Sequence, residues 1–214
     1  MRYKAVIFDL DGVLVHTDEY HYRAWKVIAD KLNITFDETI NNRLRGVSRM
    51  ESLEIILSYS DRQFTETEKA SFADKKNNIY RSLLENISPT SVDNEVIKTL
   101  DSLCAAGSTL AIGSSSKNAG FILDKTGIAH YFKAIVSGLD ITRTKPDPDV
   151  FLKATEQLGF LPEDCLVVED AHAGVEAAYR GGFDCVGMGD AYGSDLVTYK
   201  IKSVNEVVCI VKGS

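Results

Sequence analysis

Hydrophobic residues along this chain change spacing twice, and the changes divide it into three stretches. Residues 5–8, AVIF, form an unbroken apolar run without helical periodicity, the pattern of a parallel strand buried on both faces. From residue 18 to 85 the spacing becomes helical. Tyr20, Ala24, Ile28 and Leu32 recur at i+4, with Asn33 near the end of that helix, and residues 37–45 predict a second short helix stopped by Gly46. Ser48 stands three residues before Glu51, and Thr65 three before Glu68. This is the capping-box pattern at two helix starts, the second helix running to about Leu84. From Ile87 onward strands and helices alternate. Strands are predicted at 109–112, 134–136, 165–168 and 185–188. Helices are predicted at 96–106, from about Lys117 to Gly127, from Pro148 to Gly159, and at 171–180. Such alternation predicts an α/β fold with a doubly wound parallel, Rossmann-like sheet. The core would comprise residues 1–16 and 86–214, with residues 17–85 as an inserted all-helical unit.

Composition narrows the class without naming a function. The 214 residues are 44% hydrophobic and 26% charged, an ordinary soluble profile. A net charge of −7 gives no electrostatic footprint for nucleic acid or an anionic membrane. No apolar run approaches the ~18 residues of a membrane span, and MRYKAVIFDL enters the first strand at once, leaving no room for a signal peptide. Cys104, Cys165, Cys185 and Cys209 are scattered through apolar elements, which predicts small buried thiols in a reduced, cytoplasmic protein. The terminal Gly213-Ser214 would suit an appended remnant.

Polar residues gather just past the predicted strand ends, where open α/β sheets bind ligands. The first strand ends in Asp9 and Asp11 on one side of the chain, with Leu10 turned back and Gly12 permitting the turn. Two acids there suit a nucleophile beside a proton-transfer group, or ligands for a hard cation; alone they would be ordinary turn residues. Ser114-Ser115-Ser116 offers hydroxyls and backbone N–H groups to an anion such as phosphate, or Ser116 merely caps the next helix. Lys145, stiffened by Pro146 and Pro148, would suit a fixed cation beside an anionic intermediate. Glu169-Asp170 repeats the opening pattern. If these strands are neighbours the carboxylates converge, and they repel one another unless a cation such as Mg²⁺ sits among them.

In that order DLDGV, Ser114, Lys145-Pro146 and Glu169-Asp170 resemble the four motifs of the haloacid dehalogenase superfamily, over essentially the whole chain. The resemblance implies that Asp9 attacks phosphorus to form an aspartyl-phosphate and that Asp11 acts as general acid and base. Ser114 and Lys145 would hold the transferring phosphate. Mg²⁺ would be ligated by Asp9, Asp170 and the Asp11 carbonyl, with Glu169 in support. Residues 17–85 would be the helical cap. Within that cap Glu19-Tyr20-His21, Leu44-Arg45-Gly46-Val47-Ser48-Arg49, Glu51-Ser52-Leu53 and Lys75-Lys76-Asn77 resemble the β-phosphoglucomutase group of the superfamily, as does Ser116-Lys117-Asn118 in the core. This second resemblance implies that Arg49, Ser116, Lys117 and Asn118 grip a non-reacting phosphate, and that His21 and Lys76 sit near Asp11. Thr17, Trp25, Gly46, Val47, Ser48, Ser52 and Ser115 complete the implied substrate site. The reaction implied is Mg²⁺-dependent interconversion of β-glucose 1-phosphate and glucose 6-phosphate through a sugar bisphosphate. The alternative is a sugar-phosphate phosphatase, and a monomer is expected in either case. Bland readings exist for several of these residues: Trp25 as cap core, Lys76 as part of a solvated face. His16 departs from the pattern, standing where such relatives usually have Asp.

Overall fold

The computed structural model describes residues 2–213. Ser214 of the suggested terminal remnant lies outside the described residues, while Gly213 ends the last helix at φ +73°. Six parallel strands form one sheet in the order β3-β2-β1-β4-β5-β6. They are β1 (Ala5–Phe8), β2 (Thr109–Gly113), β3 (Ala134–Val136), β4 (Cys165–Glu169), β5 (Asp184–Gly187) and β6 (Tyr199–Lys200). β1 lies at the centre because its residues serve both faces. Val6 and Phe8 join one apolar cluster and Ala5 and Ile7 the other, all fully buried, so the run admits no polar alternation.

Four helices follow β1 in the chain before the α/β alternation resumes: α1 (Asp18–Lys31), α2 (Glu38–Asn42), α3 (Arg49–Leu57) and α4 (Glu66–Leu84). Both predicted capping boxes form. Ser48 and Glu51 exchange reciprocal bonds at the start of α3, and Thr65 and Glu68 do so at α4. These helices bury an apolar cluster of their own, centred on Trp25, Ile28, Phe36, Leu53 and Ile56. The inner turns of α1 and α4 contribute Ala24, Tyr80 and Leu84 to the cluster beneath the sheet. Helices α5 (Asn94–Ala105), α6 (Ala119–Thr126), α7 (Asp149–Leu158) and α8 (His172–Arg180) cover the sheet.

Differences from the expected elements are local and have physical causes. The short edge strand β6 and the terminal helix α9 (Val207–Lys212) were not predicted. Two residues hold no periodicity, and VVCIVK lacks the polar positions that reveal a helical stripe. Helix α6 starts two residues later than expected because the preceding serines fold into turns, described below. Two of the four free cysteines, Cys165 and Cys185, are buried as expected; Cys104 and Cys209 are exposed on the outer faces of helices. No helix among the described residues is long and apolar enough to cross a membrane.

Candidate functional site

The strand order decides what meets at the carboxyl edge of the sheet. β1 pairs with β2 on one side and β4 on the other, with Phe8 opposite both Ile112 and Val168. One or two residues further on, Asp9, Ser114 and the Glu169-Asp170 pair therefore converge from three neighbouring strands. Asp9 N–H donates to the Val168 carbonyl at 3.0 Å and Ser114 N–H to the Val136 carbonyl at 3.0 Å, so the ladder extends into the site and fixes both residues.

Lys145 is the buried cation of this edge, 1% exposed, and its Nζ donates to both Asp9 Oδ1 and Glu169 Oε1. Burial alone would lower its pKa, but the two carboxylates outweigh that and raise it. The other oxygen of Glu169 accepts from Asp170 N–H at 3.1 Å and Ala171 N–H at 3.2 Å. Gly174 makes room for this carboxylate, since a Cβ there would lie 1.9 Å from Glu169 Oε1. Gly12 does the same for Asp170. Its φ is +90°, and a Cβ would stand 2.2 Å from Asp170 Oδ2.

Asp11 sits apart from Lys145. Thr17 Oγ1 donates to its Oδ1, and Tyr80 O–H reaches the same oxygen at 3.5 Å. Burial first, and the Asp9 charge second, push the Asp11 pKa up to about 7. Burial followed by neighbouring acids likewise raises Asp170 to about 9. Glu169 rises to about 7 on burial, with Asp9 adding to the shift and Lys145 opposing it.

The helical insertion faces these acids across a partly open cavity of about 140 Å³. Its walls include Asp9, Asp11, Ser114 through Asn118, Glu169 and Asp170 from the sheet side. Across from them lie His21, Trp25, Gly46 through Arg49, Ser52 and Lys76. Lys76 is 3% exposed, not on a solvated face: its Nζ bonds His21 Nδ1 at 2.8 Å and lies 5.0 Å from the Trp25 ring centroid and 4.4 Å from that of Tyr80. Burial, then the charge of Arg49, lowers Lys76 to about 7, and burial with Lys76 and Arg49 holds His21 well below the usual histidine range. Trp25 serves both readings, being 2% exposed within the helical cluster and part of the cavity wall.

Two of the expected site residues stand behind the wall. Thr17 is fully buried and touches the cavity only through Asp11, and Lys145 acts from beneath Asp9. The serine loop also differs from a row of free donors. Ser114 Oγ accepts from Ser116 N–H at 3.1 Å, and Ser116 Oγ accepts from Asn118 N–H at 3.2 Å. Two backbone donors are thus engaged in turns, and α6 begins at Ala119, with no side-chain cap from Ser116.

Seven further residues complete the cavity: Asp18, Asn41, Leu44, Arg45, Asn77, Gly138 and Thr144. Several bridge its two sides. Asn77 Oδ1 accepts from Asn118 Nδ2 at 3.0 Å, Glu51 Oε2 accepts from Thr144 Oγ1 at 2.9 Å, and Arg45 pairs with Asp18, Asp170 and Asp190. Arg45 and Asn77 adjoin expected site residues in sequence. Tyr80 follows Lys76 by one helical turn, a spacing that places both on one face.

The four acids Asp9, Asp11, Glu169 and Asp170 offer oxygen donors only, and burial first, with the neighbouring acids adding to it, raises three of their pKa values. Such a set fits a hard divalent cation. Among the described residues no three acid, His or Cys side chains form a ready metal group. Magnesium, which keeps several waters and takes one or two carboxylates, does not need one.

The raised acids have a stability consequence whose sign is definite. In the unfolded chain Asp170 ionises near pH 4, whereas in the fold it stays protonated up to about 9. Without divalent cations it therefore costs stability increasingly as pH rises through that window. In EDTA, the Tm of Asp170→Asn should rise relative to the unaltered protein between pH ~4 and ~9. A constant difference across that range would contradict the raised pKa of Asp170.

Residues 6–188 match the family of haloacid dehalogenase-like hydrolases. The chain belongs to that family. Beta-phosphoglucomutase of Bacillus subtilis is 41% identical over 199 residues, covering 91% of this chain and 88% of that protein. Fructose-1-phosphate phosphatase YqaB of Escherichia coli is 29% identical, covering 86% and 96%. The crystal structure of beta-phosphoglucomutase from Clostridium difficile superposes with a TM-score of 0.90 at 34% identity, over 96% of this chain and 93% of that one.

Proposed function

We propose that this enzyme is a Mg²⁺-dependent phosphosugar mutase interconverting β-glucose 1-phosphate and glucose 6-phosphate, with residues 17–85 acting as a cap over the core formed by the rest. One observation carries the proposal. One cavity is lined by Ser114, with Lys145 behind Asp9, which would hold the transferring phosphate, and by Arg49, Ser116, Lys117 and Asn118, which would hold the non-reacting one. A sugar bisphosphate needs both; a monophosphate needs one. The likeness to B. subtilis beta-phosphoglucomutase supports the same substrate class.

In this reading an Asp9 carboxylate oxygen attacks phosphorus and the bond to the sugar oxygen breaks. Asp11 delivers its proton to that leaving oxygen. When the sugar losing its phosphoryl group is the 1,6-bisphosphate, glucose 6-phosphate leaves. The 6-hydroxyl of an incoming β-glucose 1-phosphate then attacks the aspartyl-phosphate, giving its proton to Asp11, freeing Asp9 and forming the bisphosphate again. A carboxyl group with a pKa near 7 suits both directions, and Thr17 and Tyr80 hold it in place. Lys145 and Ser114 neutralise and position the transferring group. Arg49 offers a bidentate fork to the non-reacting phosphate. An arriving dianion would restore full charge to Lys76, drawing the cap closed and excluding water that would hydrolyse the aspartyl-phosphate. The carboxylates of Asp9 and Asp170 with the Asp11 carbonyl would hold Mg²⁺, supported by Glu169. The ion's contribution is to neutralise charge on the phosphoryl oxygens.

The phosphatase reading keeps its place because a relative of nearly the same length is named a fructose-1-phosphate phosphatase. Product NMR separates the two. Incubation with β-glucose 1-phosphate and a trace of the 1,6-bisphosphate should yield glucose 6-phosphate, and Arg49→Ala should reduce that turnover by about 10²-fold. Inorganic phosphate as the sole product, with Arg49→Ala unimpaired, would establish the phosphatase instead.

A further inference from the structure

Arg45 lies on the loop after α2, and its guanidinium reaches from the helical insertion to three carboxylates. Nη2 pairs with Asp18 in the first turn of α1 at 3.0 Å. Nη1 is shared, 3.3 Å from Asp190 Oδ2 on the loop after β5 and 3.7 Å from Asp170 Oδ2. Nε is buried without a hydrogen-bond partner, so the side chain is placed by its charges and not by a full set of hydrogen bonds. The two acids competing for Nη1 are unlike. The Asp190 side chain is 47% exposed and that of Asp170 only 8%. Charge attraction is stronger where solvent is excluded, and yet the nitrogen lies nearer the exposed acid. Asp18 and Asp190 therefore compete with Asp170 for the guanidinium, which lies within ion-pair distance of all three.

We propose that Arg45 and Asp190 form a charge latch across the cleft, in which Asp190 holds the guanidinium away from Asp170 and so sets how much of that carboxylate is available to a divalent cation. The latch rests on the reading of Asp170 as a metal ligand. A guanidinium and a metal ion beside one carboxylate repel each other. Whatever draws Arg45 away therefore strengthens metal binding, and by reciprocity the metal strengthens the pairing of Arg45 with Asp190. Asp190 is a positioning residue here: it reaches the metal site only through Arg45.

Calorimetric titration of Mg²⁺ alone into the full chain, previously stripped with EDTA, tests this with a double-mutant cycle. Arg45→Gln should tighten Mg²⁺ by roughly three- to ten-fold, and Asp190→Asn should weaken it by about three-fold. Both shifts should shrink in about 0.5 M KCl. The deciding variant is the double one. If Asp190 acts through Arg45, Arg45→Gln/Asp190→Asn binds Mg²⁺ like Arg45→Gln alone. If it acts merely by its own charge, its weakening persists without Arg45 and the two single effects add, which would overturn the latch. An unchanged affinity in Asp190→Asn alone would do the same, and that exposed substitution carries the test should Arg45→Gln fail to fold. Absence of Mg²⁺ binding to the unaltered protein, or binding that survives Asp170→Asn, would overturn the metal reading, and the latch with it.

Discussion

Asp9→Asn is expected to abolish turnover of sugar phosphate, by about 10⁴-fold or more, while the protein remains folded. The carboxamide has the shape of the carboxylate but lacks the negative charge that makes its oxygen a nucleophile toward phosphorus. Its neighbours stay put, because Lys145 retains Glu169 as a partner and the Asp9 N–H still donates to Val168. Two measurements check the outcome together. Isotopic labelling with a phosphoryl donor should place acid-labile phosphate on the unaltered protein and none on Asp9→Asn, and the Tm of the variant should stay within a few degrees. Labelling that persists in the variant would move the nucleophile elsewhere in the cavity.

The second large effect falls on stability. Lys145→Met removes the one cation shared by two buried acids, stranding Glu169 at 1% exposure and Asp9 at 8%. Removing one partner of a buried ion pair costs about 3–5 kcal/mol, and urea unfolding should show a loss of that order at neutral pH. Part of it should return in Lys145→Met/Glu169→Gln, where a neutral side chain occupies the stranded position and the coupling between the two sites becomes visible. A loss below about 1 kcal/mol would mean that Glu169 takes up a proton without penalty and that the ion pair contributes little.

Both expectations rest on residues far apart in the chain, and they show where sequence reading reaches and where it stops. The strand over Ala5–Phe8 and both capping boxes are matters of near neighbours. An apolar run buried on two faces, or a hydroxyl three residues before a glutamate, carries its own physical reason, and each appears where it was expected. The acids, the serine and the lysine at strand ends were legible as well, since a parallel sheet presents its carboxyl edge to ligands. Lys76 was not. Among polar neighbours in the helix it reads as solvated surface, and only the packing of α4 against α1 buries it beside His21, Trp25 and Tyr80. Arg45 and Asp190 lie 145 positions apart by number, and no local pattern pairs them.

By itself, then, the sequence determined the parallel α/β core, the inserted helices and the chemical kind of each strand-end residue, because these follow from side-chain periodicity and from hydrogen bonds within a few residues. Only the tertiary structure decided that β1 lies between β2 and β4, that Lys145 joins Asp9 to Glu169, and that cations of the insertion close over the acids of the core. Those outcomes depend on charges and apolar faces meeting through space. Their strength is set by the solvent excluded around them, which spacing along the chain does not encode.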